Sequence, residues 1–133
     1  MNPPAQKTFR FSTRVPYAHV DQMGFVYYAH YLVYFEMARA DMLREAGIPY
    51  PEMEKRGIRL PVVVSHCEYR KPARYDDLLV VVSRCSQKGP RLRIEYEVKR
   101  GDEVLVVGHT EHVCLSPEGK VMRPAPELKR LVE

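Results

Sequence analysis

Val20-Asp21-Gln22-Met23-Gly24-Phe25-Val26-Tyr27-Tyr28, followed at once by a long helical pattern, is the stretch that decides how this chain is read. It reads as a carboxylate at the end of a strand, a glycine three residues later, and then the start of a helix. A helix N-terminus carries unpaired N–H groups and about half a positive charge, so it can hold a carbonyl oxygen that is becoming an oxyanion. A carboxylate a few residues upstream can act on the polarised carbon, through a water or directly. These are the parts of an acyl-transfer site that needs neither a metal nor a nucleophilic Cys or Ser. The plainer reading is a turn whose Asp21 caps the helix and whose Gly24 permits an unusual backbone angle. Spacing alone leaves both open.

Outward from this stretch the chain is orderly. Phe9, Phe11, Thr13 and Val15 alternate with Arg10, Ser12 and Arg14, as in a half-buried strand. From Ala29 to Ala46 the apolar positions fall at three- and four-residue steps, which predicts an amphipathic helix about 27 Å long. Gly47 is placed to end it, Pro49 cannot continue it, and Pro51–Arg56 suits a short second helix. After Pro61 the period changes. Val62–Tyr69, Leu78–Cys85, Arg91–Lys99 and Val104–Leu115 read as strands separated by turn chemistry such as Lys88-Gly89-Pro90 and Gly101-Asp102. In the third run Leu92, Ile94, Tyr96 and Val98 share one face. Short connections predict antiparallel neighbours, and one long helix must bury its stripe on the covered face of the sheet. Pro126–Val132 suits a short terminal helix, and residues 1–7 a loose lead.

With 133 residues, 45% apolar and 29% charged, the chain is expected to form one domain, 1–133. No window is apolar enough for a membrane span and the start has no signal-peptide core, so the cytoplasm is expected. The net charge of +4 and pI near 9.0 suit an anionic partner. Acids interleave with the basic residues, which argues against nucleic acid. Cys67, Cys85 and Cys114 lie in strand-like runs without ligand spacing and read as small buried apolar residues. Among the five His residues, His109 and His112 sit three apart in a strand and so face opposite sides. No metal or cofactor is expected. Glu36 and Arg39, at i and i+3, are expected to pair.

Arg14-Val15, then Val20-Asp21-x-x-Gly24-Phe25-Val26-Tyr27-Tyr28-x-x-Tyr31, Glu36-x-x-Arg39 and the step Lys71-Pro72-x-x-x-x-Asp77 resemble the 4-hydroxybenzoyl-CoA thioesterase family, in its YbgC/FadM-like acyl-CoA thioesterase branch. The resemblance runs over roughly residues 8 to 128. It departs from the family at Val20, where many relatives carry a polar residue, and at Tyr27-Tyr28, which bears on the acyl group accepted. It implies an α+β hot-dog fold, an antiparallel sheet wrapped around one long central helix. It implies hydrolysis of an acyl-CoA to free acid and CoA, with Asp21 as general base or nucleophile and the helix N-terminus at Gly24 and Tyr28 polarising the carbonyl. His19 could line the mouth of the site. Lys88 and Arg91 stand where related enzymes touch CoA phosphates, and Arg70, Lys71 and Arg74 form a denser basic group. A homodimer, pairing again into a homotetramer, is implied. The alternatives are a hot-dog protein that binds acyl-CoA or a protein without turnover, or a hydratase/dehydratase of acyl thioesters.

Overall fold

Among residues 6–132, which the computed structural model of the protein describes, the two periods of the sequence resolve into six strands and two helices. In chain order these are β1 (Thr8–Arg14), α1 (His30–Glu45), α2 (Tyr50–Lys55), β2 (Val62–Tyr69), β3 (Leu78–Lys88), β4 (Arg91–Arg100), β5 (Glu103–Leu115) and β6 (Val121–Met122). Short 3-10 segments occupy Tyr17–His19 and Pro126–Leu131. Residues 1–5 of the expected loose lead lie outside the described residues.

All pairings are antiparallel, in the order β1-β3-β4-β5-β2, with β6 added to β5. Here the expectation of neighbours from short connections fails once. β2 and β3 are consecutive, yet they lie at opposite sides of the sheet, because the connecting residues are bonded elsewhere, as described below. The short β6 was not anticipated. No helix among the described residues is long and apolar enough to cross a membrane.

The central helix buries Tyr31, Tyr34, Phe35, Ala38, Met42 and Leu43. Against them stand Leu79 and Val81 of β3 and Leu92, Ile94, Tyr96 and Val98 of β4, all buried, as the alternation in the third run predicts. Phe35 stacks on Tyr96 with ring centroids 4.2 Å apart. The same ring presses on β5 at Gly108, where a Cβ would lie 2.4 Å from the His66 carbonyl oxygen and 2.8 Å from the Phe35 ring. Only glycine fits this close approach. The helix ends as its sequence foretells: Ile48 N–H bonds to Leu43 O at 2.9 Å and Gly47 N–H to Arg44 O at 3.0 Å.

Arg39 does not pair with Glu36. It turns inward, and its guanidinium donates to Tyr50 Oη at 3.1 Å and to Tyr96 Oη at 3.2 Å. From there a chain of hydrogen bonds runs through the core, Tyr96 to Thr110 (2.7 Å), Thr110 to His112 (2.8 Å) and His112 to Leu60 O (3.2 Å). The ends fix two roles: Tyr96 Oη accepts from the guanidinium, which only donates, and His112 Nδ1–H donates to the Leu60 carbonyl, which only accepts. Burial, reinforced by the nearby Arg39 charge, pushes the pKa of His112 down to about 4. Near neutral pH the ring is therefore uncharged, its Nε2 accepts from Thr110, and Thr110 accepts from Tyr96. His109 faces the other side of the sheet, beside His66, as the spacing requires. Cys85 and Cys114 are buried and Cys67 half-buried, all free thiols.

Candidate active site

The loop that carries Asp21 is built mostly from its own backbone. β1 stops at Arg14, so Asp21 does not end a strand; the 3-10 segment Tyr17–His19 intervenes. Val20 and Val26 then bridge, Asp21 N–H bonds to Phe25 O at 2.9 Å, and Gly24 N–H to Asp21 O at 2.9 Å. This tight return needs φ of +81° at Gly24, a left-handed conformation that glycine adopts without strain. Asp21 Oδ1 accepts from Met23 N–H at 2.9 Å and, at the long limit of 3.4 Å, from Phe25 N–H. Asp21 therefore shapes its own turn and does not cap α1, whose N-cap, Ala29, makes no side-chain cap bond. Oδ2 has no protein partner among the described residues.

The segment between β2 and β3 braces this loop. Val26 N–H bonds to Ala73 O at 2.9 Å, Phe25 bridges to Arg74, and the Arg74 guanidinium lies 4.9 Å over the Phe25 ring. Asp77 fixes the brace, accepting from Arg74 N–H and from the Arg100 guanidinium, both at 2.8 Å. The Pro72 to Asp77 step is thus a positioning element. It also explains why β3 does not fold back beside β2.

At the start of α1 the backbone carbonyls are occupied and two N–H groups are not. His30 N–H bonds to Tyr27 O at 2.9 Å and Tyr31 N–H to Tyr28 O at 3.3 Å, while the N–H groups of Tyr28 and Ala29 have no partner among the described residues. Tyr28 and Asp21 line one cleft of about 390 Å³. Its buried floor is Val26 and Tyr31, Tyr69 stands above, and Arg70 and Lys71 form a basic rim. An apolar cleft with a few convergent polar groups is the usual form of a small-molecule site. Here those groups are a carboxylate oxygen free to act and the positive end of a helix.

The other residues singled out from sequence fall in different places. Gly24 shapes the turn, and its N–H is already used within it. His19 does not line the cleft. Its ring stacks on His30 at 4.1 Å and its Nδ1 shares a hydrogen bond of 2.8 Å with Tyr34 Oη, while burial and then the His30 charge hold its pKa below the usual value. Lys88 and Arg91 flank the β3–β4 hairpin, at the opposite end of β3 from the Asp77 brace, roughly 30 Å along an eleven-residue strand. Arg91 is paired with Glu111 at 3.2 Å. The basic residues that do reach the cleft are Arg70 and Lys71. Sequence reasoning did not single out Tyr69 as lining the cleft, because it arrives from a distant strand. No group of three His, Cys, Asp or Glu among the described residues has the geometry to hold a metal ion.

Known proteins resemble the chain in sequence and in fold. Residues 23–107 match the family model of the thioesterase superfamily, a span that begins just after Asp21. The acyl-CoA thioesterase YbgC of Haemophilus influenzae is 31% identical over 109 residues, covering 80% of each chain. The hypothetical protein TT1821 of Thermus thermophilus is 35% identical and superposes with a TM-score of 0.86 over 92% of this chain and 96% of its own. Protein AQ1494 of Aquifex aeolicus is 28% identical, with a TM-score of 0.89 over 94% and 99%. With an antiparallel sheet packed against one long helix and these relatives in sequence and structure, the chain belongs to the thioesterase superfamily and has the hot-dog fold.

Proposed function

We propose that this protein hydrolyses an acyl-CoA thioester to the free acid and CoA. The observation that carries the reading is the shared cleft, in which, among the described residues, Asp21 has an unpartnered carboxylate oxygen and Tyr28 an unpartnered N–H at the start of α1. The thioester oxygen accepts from the Tyr28 N–H, with the helix end stabilising the charge that develops there. Asp21 Oδ2 then takes a proton from water as the water attacks the carbonyl carbon, or attacks that carbon itself to form an anhydride that water opens. In the first route the C–S bond breaks in the tetrahedral adduct and protonated Asp21 returns the proton to the CoA thiolate. In the second the thiolate leaves as the anhydride forms and takes the proton released when water opens it, so that both end in free acid and CoA. Hydrolases of this name among the relatives support the substrate class.

The reading includes a homodimer that pairs again into a tetramer. β2 leaves one edge of the sheet open, with Val62 and Val63 exposed on it, and α1 exposes Leu32, Val33 and Met37. Arg59, Glu36 and Glu54 line a groove beside β2, and among the described residues none of the three is in an ion pair. Charges of both signs on one patch complement a second copy across a two-fold axis. In such an assembly Lys88 and Arg91 could meet the nucleotide of a CoA held by another subunit.

The test is thiol release over acyl-CoAs of graded length and aromaticity. Turnover well above the no-enzyme rate is expected. CoA binding without turnover would reduce the protein to a carrier. Light scattering should give a multiple of 15.5 kDa, and a fully active monomer of that mass would remove the assembly.

A further inference from the structure

Tyr69 closes β2, far from Asp21 in sequence, yet its ring stands in the cleft. It meets Tyr28 edge-on, with centroids 6.4 Å apart at 85°, and lies against Tyr31 at 5.5 Å. Tyr31 is buried and held from below, its hydroxyl accepting from Ala73 N–H at 3.4 Å. Tyr69 is half exposed, so it occupies the space between this fixed floor and solvent. Its hydroxyl reaches the Tyr28 carbonyl oxygen at 3.4 Å, a long hydrogen bond made to the peptide whose N–H is that of Ala29. Burial, then its contact with the Cys67 thiol, pushes that hydroxyl up to about 12, so it remains a donor at any working pH. The ring thus limits how much room an acyl group has above Tyr31, while the hydroxyl ties β2 to the helix start.

Resting on the thioesterase reading, we propose that Tyr69 sets the acyl-group specificity of the cleft by capping the space above Tyr31. Its bond to the Tyr28 carbonyl is a positioning contact, since it touches the helix start and not the reacting atoms. The two parts separate by substitution. Tyr69→Ala removes the ring and uncovers the floor; Tyr69→Phe keeps the ring and removes the hydroxyl.

The experiment measures kcat and KM for butanoyl-, hexanoyl-, decanoyl- and benzoyl-CoA with the full chain and both variants, folding being checked by circular dichroism and urea midpoint. A methylene in an apolar pocket is worth at least about tenfold in discrimination. Tyr69→Ala should therefore raise kcat/KM for decanoyl-CoA relative to butanoyl-CoA by at least about tenfold. Tyr69→Phe should keep the wild-type order of substrates and lose about two- to tenfold in kcat at unchanged KM, the effect of one weak hydrogen bond. An unchanged substrate order in a folded Tyr69→Ala overturns the proposal. If that variant does not fold, Tyr69→Leu at the same exposed strand end replaces it, with the same shift expected and the same null result decisive. Wild-type protein inert toward all four substrates overturns the thioesterase reading itself, a result distinct from turnover whose substrate order Tyr69 does not affect.

Discussion

Replacing Asp21 by Asn isolates the chemistry from the loop. Oδ1 holds Met23 N–H at 2.9 Å, and an Asn carbonyl oxygen can hold it equally. The turn should survive, at a stability cost below about 1 kcal/mol. What disappears is the charge on the second oxygen, which among the described residues has no protein partner to replace. General-base catalysis contributes roughly 10²- to 10⁴-fold, so kcat should fall at least about 100-fold, or about 2.7 kcal/mol in activation free energy. KM should change little, because the Tyr28 N–H and the aromatic walls are untouched. Asp21→Ala is the control. It takes the acceptor from the exposed Met23 N–H and should lose about 0.5–1.5 kcal/mol of stability in addition to activity. The assay pairs continuous thiol release with urea unfolding at one fixed protein concentration. Wild-type-like turnover by Asp21→Asn would refute the role of the charge. An Asn variant as unstable as the Ala variant would refute the division of labour between the two oxygens.

Stability should decline as pH falls from about 6.5 toward 4, because unfolded His112 titrates near the ordinary value and the folded residue near 4. Between those limits the unfolded chain binds more protons, so stability rises with pH, with a ceiling of about 3 kcal/mol for this residue. His19 and His109 are also lowered and add in the same direction, so the difference from His112→Gln isolates the contribution; parallel urea midpoint–pH curves for the two proteins would contradict it. Gly108→Ala should destabilise by about 1–3 kcal/mol in urea or thermal melts, since the new Cβ meets a backbone oxygen that cannot move cheaply; an unchanged midpoint would show that the helix yields. Chelators should leave thiol release unchanged, given the lack of any ligand-spaced group among the described residues; activity abolished by EDTA and restored by one divalent ion would exclude the Asp21 mechanism as drawn.

How much of this was legible in the sequence follows the range of the forces involved. Leu92 to Val98 and the helical steps from Tyr31 to Ala46 revealed their buried faces because periodicity is local, and so did the end of α1 at Gly47. Strand order was not local: β2 left its sequence neighbour because Ala73 and Arg74 are committed to the Asp21 loop, a contact no spacing rule contains. Arg39 shows the same limit, since the i, i+3 rule knows of Glu36 but not of hydroxyls on Tyr50 and Tyr96. Asp21 stood out by motif, yet its role in shaping its own turn depends on the fold of five residues around Gly24.

Near neutral pH, with His112 uncharged, the buried chain from Arg39 to Leu60 runs its hydrogen bonds in one direction. Such a chain opens as a whole or not at all, so it should make one cooperative unit of the middle of α1, strands β4 and β5, and the residues that lead into β2. Hydrogen exchange would show this as matched protection across elements that are far apart in sequence. Anything that steadies the open edge at β2, including a second copy of the chain, would then slow opening of the helix whose first turn presents the Tyr28 N–H. The edge and the Asp21 cleft would share a single local unfolding equilibrium.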